Sequence, residues 1–362
     1  MSLETWEIVL IAVFGGLALI AGIVFLLDVA RVWWFVRNYH KPRADPAKVA
    51  AYRKRMEDAY FDRDDEAVKQ DNPFRHIVTD EEFEENIAEF EREMDKKGAG
   101  PNGTIFSSLD ESYMKLLRES IGVVIAPRAV LFQVAHPYVA VGIAQHSNVV
   151  RDTPKRFHKT YFHMFRMAFG TRAQAIKSAR ILRKTHNRVF GKFDHKIGKI
   201  LQEGQAYTAA HTHALLWVGL ALAESVTFGY ETFVGSFSKE ERDQLAQDAA
   251  YGMMLFGVSK KIASGTYDDF RVAIEACWAS DIITVSPEAR EIAKHLLYPT
   301  VWYLKPVFAI ARYFTRVIMP EKLQVEFFGK KANIVDQAIV SVLGGIMRFG
   351  YRLLPGPLRY VP

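Results

Sequence analysis

From Ile8 to Leu27 the chain carries no charged residue. A helix of that length, rising about 1.5 Å per residue, reaches about 30 Å, the thickness of a bilayer's hydrocarbon core. The run therefore predicts a transmembrane helix. A cleaved signal peptide is the competing reading, but the run is too long for one, no basic stretch precedes it, and Trp33 and Trp34 follow as interfacial anchors. Glu4 and Glu7 precede the run, whereas Arg31, Arg37, Lys41 and Arg43 follow it. Positive flanks stay cytoplasmic, so a single-pass topology with the bulk of the chain in the cytosol is expected.

A reducing compartment agrees with the single cysteine, Cys277, which can form no internal disulfide. It lies in the apolar stretch Ile274 to Trp278 and reads as a small core residue rather than a nucleophile. With 49% hydrophobic and 24% charged residues the composition is that of a globular domain, and 362 residues can bury a sizeable core. The net charge of +6 does not point to nucleic acid, because the basic residues cluster beside aromatics and the anchor. Anionic lipid headgroups are the simpler partner.

Four regions follow from the patterning: an anchor over 1–40, a charged helical connector over 41–105, a helical core over 106–295 and C-terminal helices over 296–362. The connector holds runs such as Glu81-Glu82-Phe83-Glu84-Glu85, which read as a solvated helix face, and it closes on Gly98-Ala99-Gly100-Pro101. From Ser107 onward the periodicity is helical and no run of alternating strands stands out, so the fold class is all-α. Tyr298 to Met319 mixes Trp302, Tyr303 and Phe308 with Lys305, Arg312 and Arg316. That composition suits an interfacial helix as well as a core helix whose cations snorkel.

Most of the 11 histidines fall between His136 and His213, inside apolar helical sequence. They point to a buried metal or haem site held by imidazole rather than thiolate. Thr153-Pro154 starts one predicted helix, which Gly170 closes. On it Arg156, Lys159, Thr160 and His163 share a face; the alternative is that the two cations are solvated. A second helix is predicted over 171–190, with His186 on the apolar stripe of Ala175, Ala179 and Leu182, and with room beside the alanines for a flat cofactor. A lone histidine on such a stripe is also an ordinary core residue. A third helix, 207–224, carries His211, His213 and Trp217, and a spacing of two puts the histidines on different faces. Phosphate loops, dinucleotide fingerprints, the Gly-x-Ser-x-Gly elbow and paired Glu-x-x-His motifs are all absent from the sequence.

The order of these pieces resembles a known family, the haem-dependent oxygenases that include the endoplasmic-reticulum-bound MpaB enzymes and the rubber oxygenases. The matching pieces are His136-Pro137, Gly142 to Ser147, Pro154 to Thr160, Thr185 to Gly191, Tyr207-Thr208-Ala209, Leu216-Trp217-Val218, Thr315 to Pro320 and Leu353 to Arg359. The resemblance implies an all-α domain around haem b. His186 matches the proximal iron ligand, and His213 and Trp217 fall in the cofactor-binding region. Arg156, Lys159 and Thr160 match a distal Arg-x-x-Lys-Thr stretch that serves catalysis. It implies addition of O2 across a carbon–carbon double bond of a prenyl or terpenoid chain, and residence at the endoplasmic reticulum if the source is eukaryotic. The sequence departs from the family at Gly219, where relatives often carry histidine, and a distal carboxylate base has no clear counterpart near Gly142 to Ser147. Two other readings stand beside this one: a membrane-tethered helical protein without catalysis, and a non-haem metal oxygenase.

Overall fold

The computed structural model describes residues 3–60, 73–74, 77–98, 103, 116, 118–147, 162–259, 262–263 and 265–360, with the backbone alone for 3–18 and for 123. Among the described residues the fold is all-α, apart from one two-stranded antiparallel sheet. The long helix α1 (Leu3–Asn38) leads into α2 (Pro46–Asp58) and α3 (Asp80–Lys96). The central part holds α4 (Ile121–Val134), α5 (Pro137–His146), α6 (Arg172–His186), β1 (Phe190–Lys192), β2 (Ala206–Thr208) and α7 (Thr212–Phe233). The remainder is α8 (Lys239–Leu255), α9 (Tyr267–Ala279), α10 (Pro287–Leu297), α11 (Lys305–Val317), α12 (Glu321–Phe328), α13 (Ile334–Leu353) and a last turn, Gly356–Arg359.

Local sequence starts these helices. Thr79 with Glu82, Thr171 with Gln174, Ser238 with Glu241 and Asn333 with Asp336 form reciprocal capping boxes that satisfy orphan N–H groups of the first turn. Asp45, His136 and Ser286 cap helices whose first residue is proline, a residue with no N–H to leave unpaired.

The connector is part of the packed body. Phe83, Ile87, Phe90 and Met94, spaced by four, three and four, line one side of α3 and are buried against Ala175, Ile176 and Ala179 of α6. The small alanines thus admit a neighbouring helix rather than a flat cofactor. Likewise α2 packs on α9. The second predicted helix ends at His186, four residues early, because Phe190–Lys192 pairs with Ala206–Thr208 and needs extended backbone. For the same reason the third helix begins at Thr212, not at 207, and it runs on to Phe233.

Among the described residues two helical stretches are long and apolar enough to cross a membrane, Leu19–Asn38 within α1 and Ile334–Leu353, which is α13. The C-terminal segment that reads as interfacial or core divides its faces between both descriptions. Trp302, Tyr303, Val307 and Ile310 are exposed, whereas Phe314, Thr315, Arg316 and Val317 are buried.

At the centre, α4 lies along α7, and their shared interior holds a complete ion pair. Arg128 donates from Nη1 and Nη2 to the two carboxylate oxygens of Glu224 at 2.6 and 2.8 Å, from Nη1 to Ser225 Oγ at 2.7 Å and from Nε to the Ile318 carbonyl at 3.1 Å. Its guanidinium lies over the rings of Phe132 and Phe228, 4.3 and 4.5 Å from their centroids. Both ionic side chains are wholly buried. Arg128→Met leaves Glu224 as an uncompensated buried charge and is expected to cost about 3–5 kcal/mol in denaturant unfolding of the detergent-solubilised protein, while Arg128→Met with Glu224→Leu recovers most of that loss. A single substitution as mild as the double one would contradict this account.

Candidate functional site

Of the six candidate residues, α6 carries His186 and the start of α7 carries His213 and Trp217, with the β1–β2 hairpin between the two helices in sequence. His186 is the last residue of α6. The residue is half-buried, and its Nδ1 is shielded from solvent. The expectation that this residue faces the core is therefore met only in part: it stands at a helix end, at the edge of the packed body. Lys184, Arg188 and Lys192 surround it in sequence and are exposed. Arg156, Lys159 and Thr160 lie outside the described residues. Of the helix predicted from Pro154 to 169 the stretch 162–169 is described, with His163 buried and Phe165 against Phe169 at 4.6 Å.

Below His186 the hairpin is locked onto α5. Tyr207 donates its hydroxyl proton to Gln145 Oε1 at 2.7 Å, and Gln145 Nε2 donates to the Lys192 carbonyl at 3.3 Å and to Asp194 Oδ2 at 3.2 Å. A side chain at position 191 would meet Gln145 Oε1 at 2.9 Å and the Tyr207 ring at 3.0 Å, so the close approach requires Gly191. Gln145 thus acts as the clasp between α5 and the hairpin that follows His186.

His213 and Trp217 are fully buried and their polar atoms are engaged. Trp217 donates its indole N–H to the Phe132 carbonyl at 2.8 Å. His213 belongs to a cluster that sequence reasoning did not foresee. Tyr60, just past the end of α2 in the charged connector, places its hydroxyl 2.8 Å from His136 Nε2 and 2.5 Å from His213 Nδ1, and the two ring nitrogens are 3.3 Å apart. The Tyr138 N–H donates to His136 Nδ1 at 3.2 Å, which places the proton of a neutral His136 on Nε2. That proton is donated to Tyr60 Oη, and the Tyr60 hydroxyl donates onward to His213 Nδ1. His213 then carries its own proton on Nε2, 3.7 Å from Cys277 Sγ, and the thiol reaches Met56 Sδ at 3.7 Å. One direction of donation satisfies the whole chain.

Burial, reinforced by the other histidines, holds His136 well below the ordinary imidazole range and does the same to His213 through His211. It pushes the Tyr60 phenol up. Burial also raises the Cys277 thiol, so this cysteine is an inert core residue. The cluster is hydrogen-bonded rather than metal-binding in its geometry. Ligands about 2.0–2.1 Å from a tetrahedral metal stand about 3.3 Å apart, which the contacts at 2.5 and 2.8 Å are too short to allow. Among the described residues no three His, Cys, Asp or Glu side chains converge as a metal site.

The spacing argument that separated His211 from His213 does not apply. His211 is the N-cap of α7, with extended backbone, so its ring is not placed by helical geometry. It stacks on Tyr60 at 4.9 Å between centroids, while His213 meets the same ring edge-on at 5.5 Å. Both imidazoles serve one tyrosine.

With this geometry in place, comparison with known proteins is informative. The sequence model described as "ER-bound oxygenase mpaB/B'/Rubber oxygenase, catalytic domain" matches residues 114–349, most of the chain. The chain belongs to that family. The match starts just ahead of α4 and ends within α13, taking in His136, Gln145, His186, His213 and Trp217. It supports an oxygenase, an oxidoreductase whose co-substrate is O2 and whose other substrate is a small molecule. No curated protein and no solved structure matches the chain.

Two outcomes follow for the buried cluster. Tyr60→Phe is expected to cost only about 1 kcal/mol, since the two imidazoles can close on one another, whereas Tyr60→Ala also opens a cavity and costs about 3–5 kcal/mol. Equal and negligible losses in urea unfolding would contradict the assignment of Tyr60 to the core. The second outcome concerns pH. Both histidines are neutral when folded and regain their ordinary pKa of about 6.5 on unfolding, so their contribution is complete above that pH and is lost as pH falls through the depressed folded values. The melting temperature should therefore drop steadily between about pH 6.5 and pH 5, with a shallower drop in His213→Asn.

Proposed function

We propose that the protein is a membrane-anchored, haem b-dependent oxygenase that adds O2 across a carbon–carbon double bond of a prenyl or terpenoid chain and cleaves it to two carbonyls. The observation that carries the reading is the family match over residues 114–349, a family of oxygenase catalytic domains. The anchor is the apolar part of α1, which keeps the catalytic domain beside a membrane in which apolar chains dissolve. Cytosolic exposure of that domain follows from the basic flank after the run, and in a eukaryotic cell the membrane is that of the endoplasmic reticulum.

The residues at the end of α6 fit a haem. A porphyrin brings four nitrogen donors of its own and asks the protein for one more, a need that a single imidazole meets. His186 stands half-buried at a helix end, at the edge of the packed body rather than inside the core. Exposed Lys184, Arg188 and Lys192 supply cations suited to the propionate carboxylates of the cofactor. Bound there, haem supplies the redox-active iron at which O2 and the alkene are brought to reaction.

The chain's own residues then divide the remaining work. His186 would hold the iron. Arg156, Lys159 and Thr160, the stretch matched by the family resemblance, would serve catalysis, Lys159 and Arg156 as cationic donors toward negative charge developing on oxygen and Thr160 as a hydroxyl donor. His213 and Trp217 hold α7 in place through the bonds they make to Tyr60 and Phe132. Gln145 and Tyr207 fix the hairpin that continues from His186, so the ligand's backbone cannot drift.

The test uses the full-length protein in detergent. His186→Ala, folded by circular dichroism, is expected to lose nearly all of the haem that co-purifies with the parent, while Lys159→Ala keeps the haem and loses activity by a factor of about 10²–10³. With an isoprenoid alkene and ¹⁸O2, each carbonyl product should carry one labelled oxygen atom. Haem retention by His186→Ala, or unlabelled products, would overturn the proposal.

A further inference from the structure

A helix on the surface of a water-soluble protein turns its polar side outward. α13 does the reverse. Ile334, Val335, Ile339, Val342, Ile346 and Leu353 are exposed along its whole length, whereas Ser341, Arg348 and Tyr351 are buried. Asp336 points inward and accepts hydrogen bonds from Tyr313 Oη at 2.7 Å and Arg316 Nη2 at 2.9 Å. Between 338 and 353 the one exposed charge is Arg352, and it is held by Asp28 of α1. The inversion is shared by its neighbour. From Leu19 to Trp34 every exposed residue of α1 is apolar, while Asp28 is buried and Arg31 gives its guanidinium to the Glu231 and Gly235 carbonyls.

The two helices are built to lie together. They run antiparallel, with Phe25 against Phe349, Val29 against Gly345 and Val32 against Gly344. A Cβ at Gly344 or Gly345 would come within 2.6 Å of Val32 Cγ1 or 2.5 Å of Val29 Cγ2, so only glycine permits the contact. Close approach through small residues is how helices pack in lipid, where burial of apolar surface gives no drive. Asp28 accepts from Arg348 Nε at 2.8 Å and from both terminal nitrogens of Arg352 at 2.7 Å, so the charges between the helices are paired. At the far end of α1, Arg37 lies over Trp33 and Arg43 over Trp34, at 5.1 and 5.5 Å, which is the aromatic and basic composition of a headgroup boundary.

We propose that α13 is a second membrane-embedded helix, lying antiparallel to α1 with its Ile339, Val342, Ile346 and Leu353 face against lipid acyl chains, with Asp28 and Arg348 buried between the two and Arg352 paired to Asp28 at their edge. The occupant is lipid because the exposed face of α13 is continuous with that of α1, whose own apolar run is long enough to cross a bilayer. A contiguous apolar surface of this extent has no place in water. The inference is independent of the cofactor assignment and survives its failure.

The buried Cys277 should take up no label in the parent chain, so introduced cysteines report alone. Val342→Cys and Ile346→Cys, each carrying a nitroxide, are compared with Glu240→Cys on the exposed start of α8, all in the full chain reconstituted into phosphatidylcholine vesicles. At 342 and 346, relaxation by O2, which concentrates in hydrocarbon, should exceed that at 240. Relaxation by a polar nickel chelate should fall roughly tenfold or more below it, as exclusion of polar solutes from an apolar phase requires. Nickel relaxation equal to that at 240 would place the face in water and overturn the proposal. So would spin–spin broadening that disappears on dilution with unlabelled protein, which would put a second copy of the chain where lipid is expected.

Discussion

The pairing of Arg128 with Glu224 constrains everything around it. Either charge left alone in that interior would cost several kcal/mol of desolvation, a large fraction of the stability of a typical domain. α4 and α7 can therefore pack only in the register that brings the guanidinium onto the carboxylate. That register carries Phe132 to Trp217 and sets His136, just past the end of α4, beside His213, near the start of α7. The same arginine reaches the Ile318 carbonyl and ties the end of α11 to the pair. The positions of the buried histidines are thus consequences of one ionic contact some two helical turns away.

A second constraint is the division of the molecule between two solvents. The core built on α4, α7, α9 and α10 buries its apolar residues as a water-soluble protein does. The α1–α13 pair buries its charges and exposes isoleucine, valine and leucine. α11 joins the regimes, with Arg316 inside on Asp336 and Val307 and Ile310 outside. An oxygenase for a lipid-borne chain benefits from such a flank, since a substrate that never enters water has no dehydration cost to meet on reaching the site.

Much of this was legible in the sequence. The uncharged run follows from local chemistry, and the all-α class follows from the period of the apolar residues. Tyr60 was not legible, because it ends a stretch dominated by charge, and only the tertiary contact of α2 with α9 brings it between His136 and His213. His211 escaped because a spacing rule for helices was applied to a residue that precedes its helix. The alanines of α6 fit a flat cofactor and a neighbouring helix equally well in one dimension; α3 takes the space. α13 shows a further limit. Ser341, Arg348 and Arg352 recur at helical spacings of seven and four, and that periodicity states that two faces differ without stating which one is turned toward the protein.

The account's central claim is that a single imidazole at the end of α6 serves a porphyrin in this all-α scaffold. An absorption spectrum of the purified, detergent-solubilised wild-type protein, recorded oxidised and again after dithionite, tests it most directly. The account requires an intense Soret band that shifts to longer wavelength on reduction, with resolved visible bands of haem b. A colourless protein, or iron bound without those bands, would contradict it.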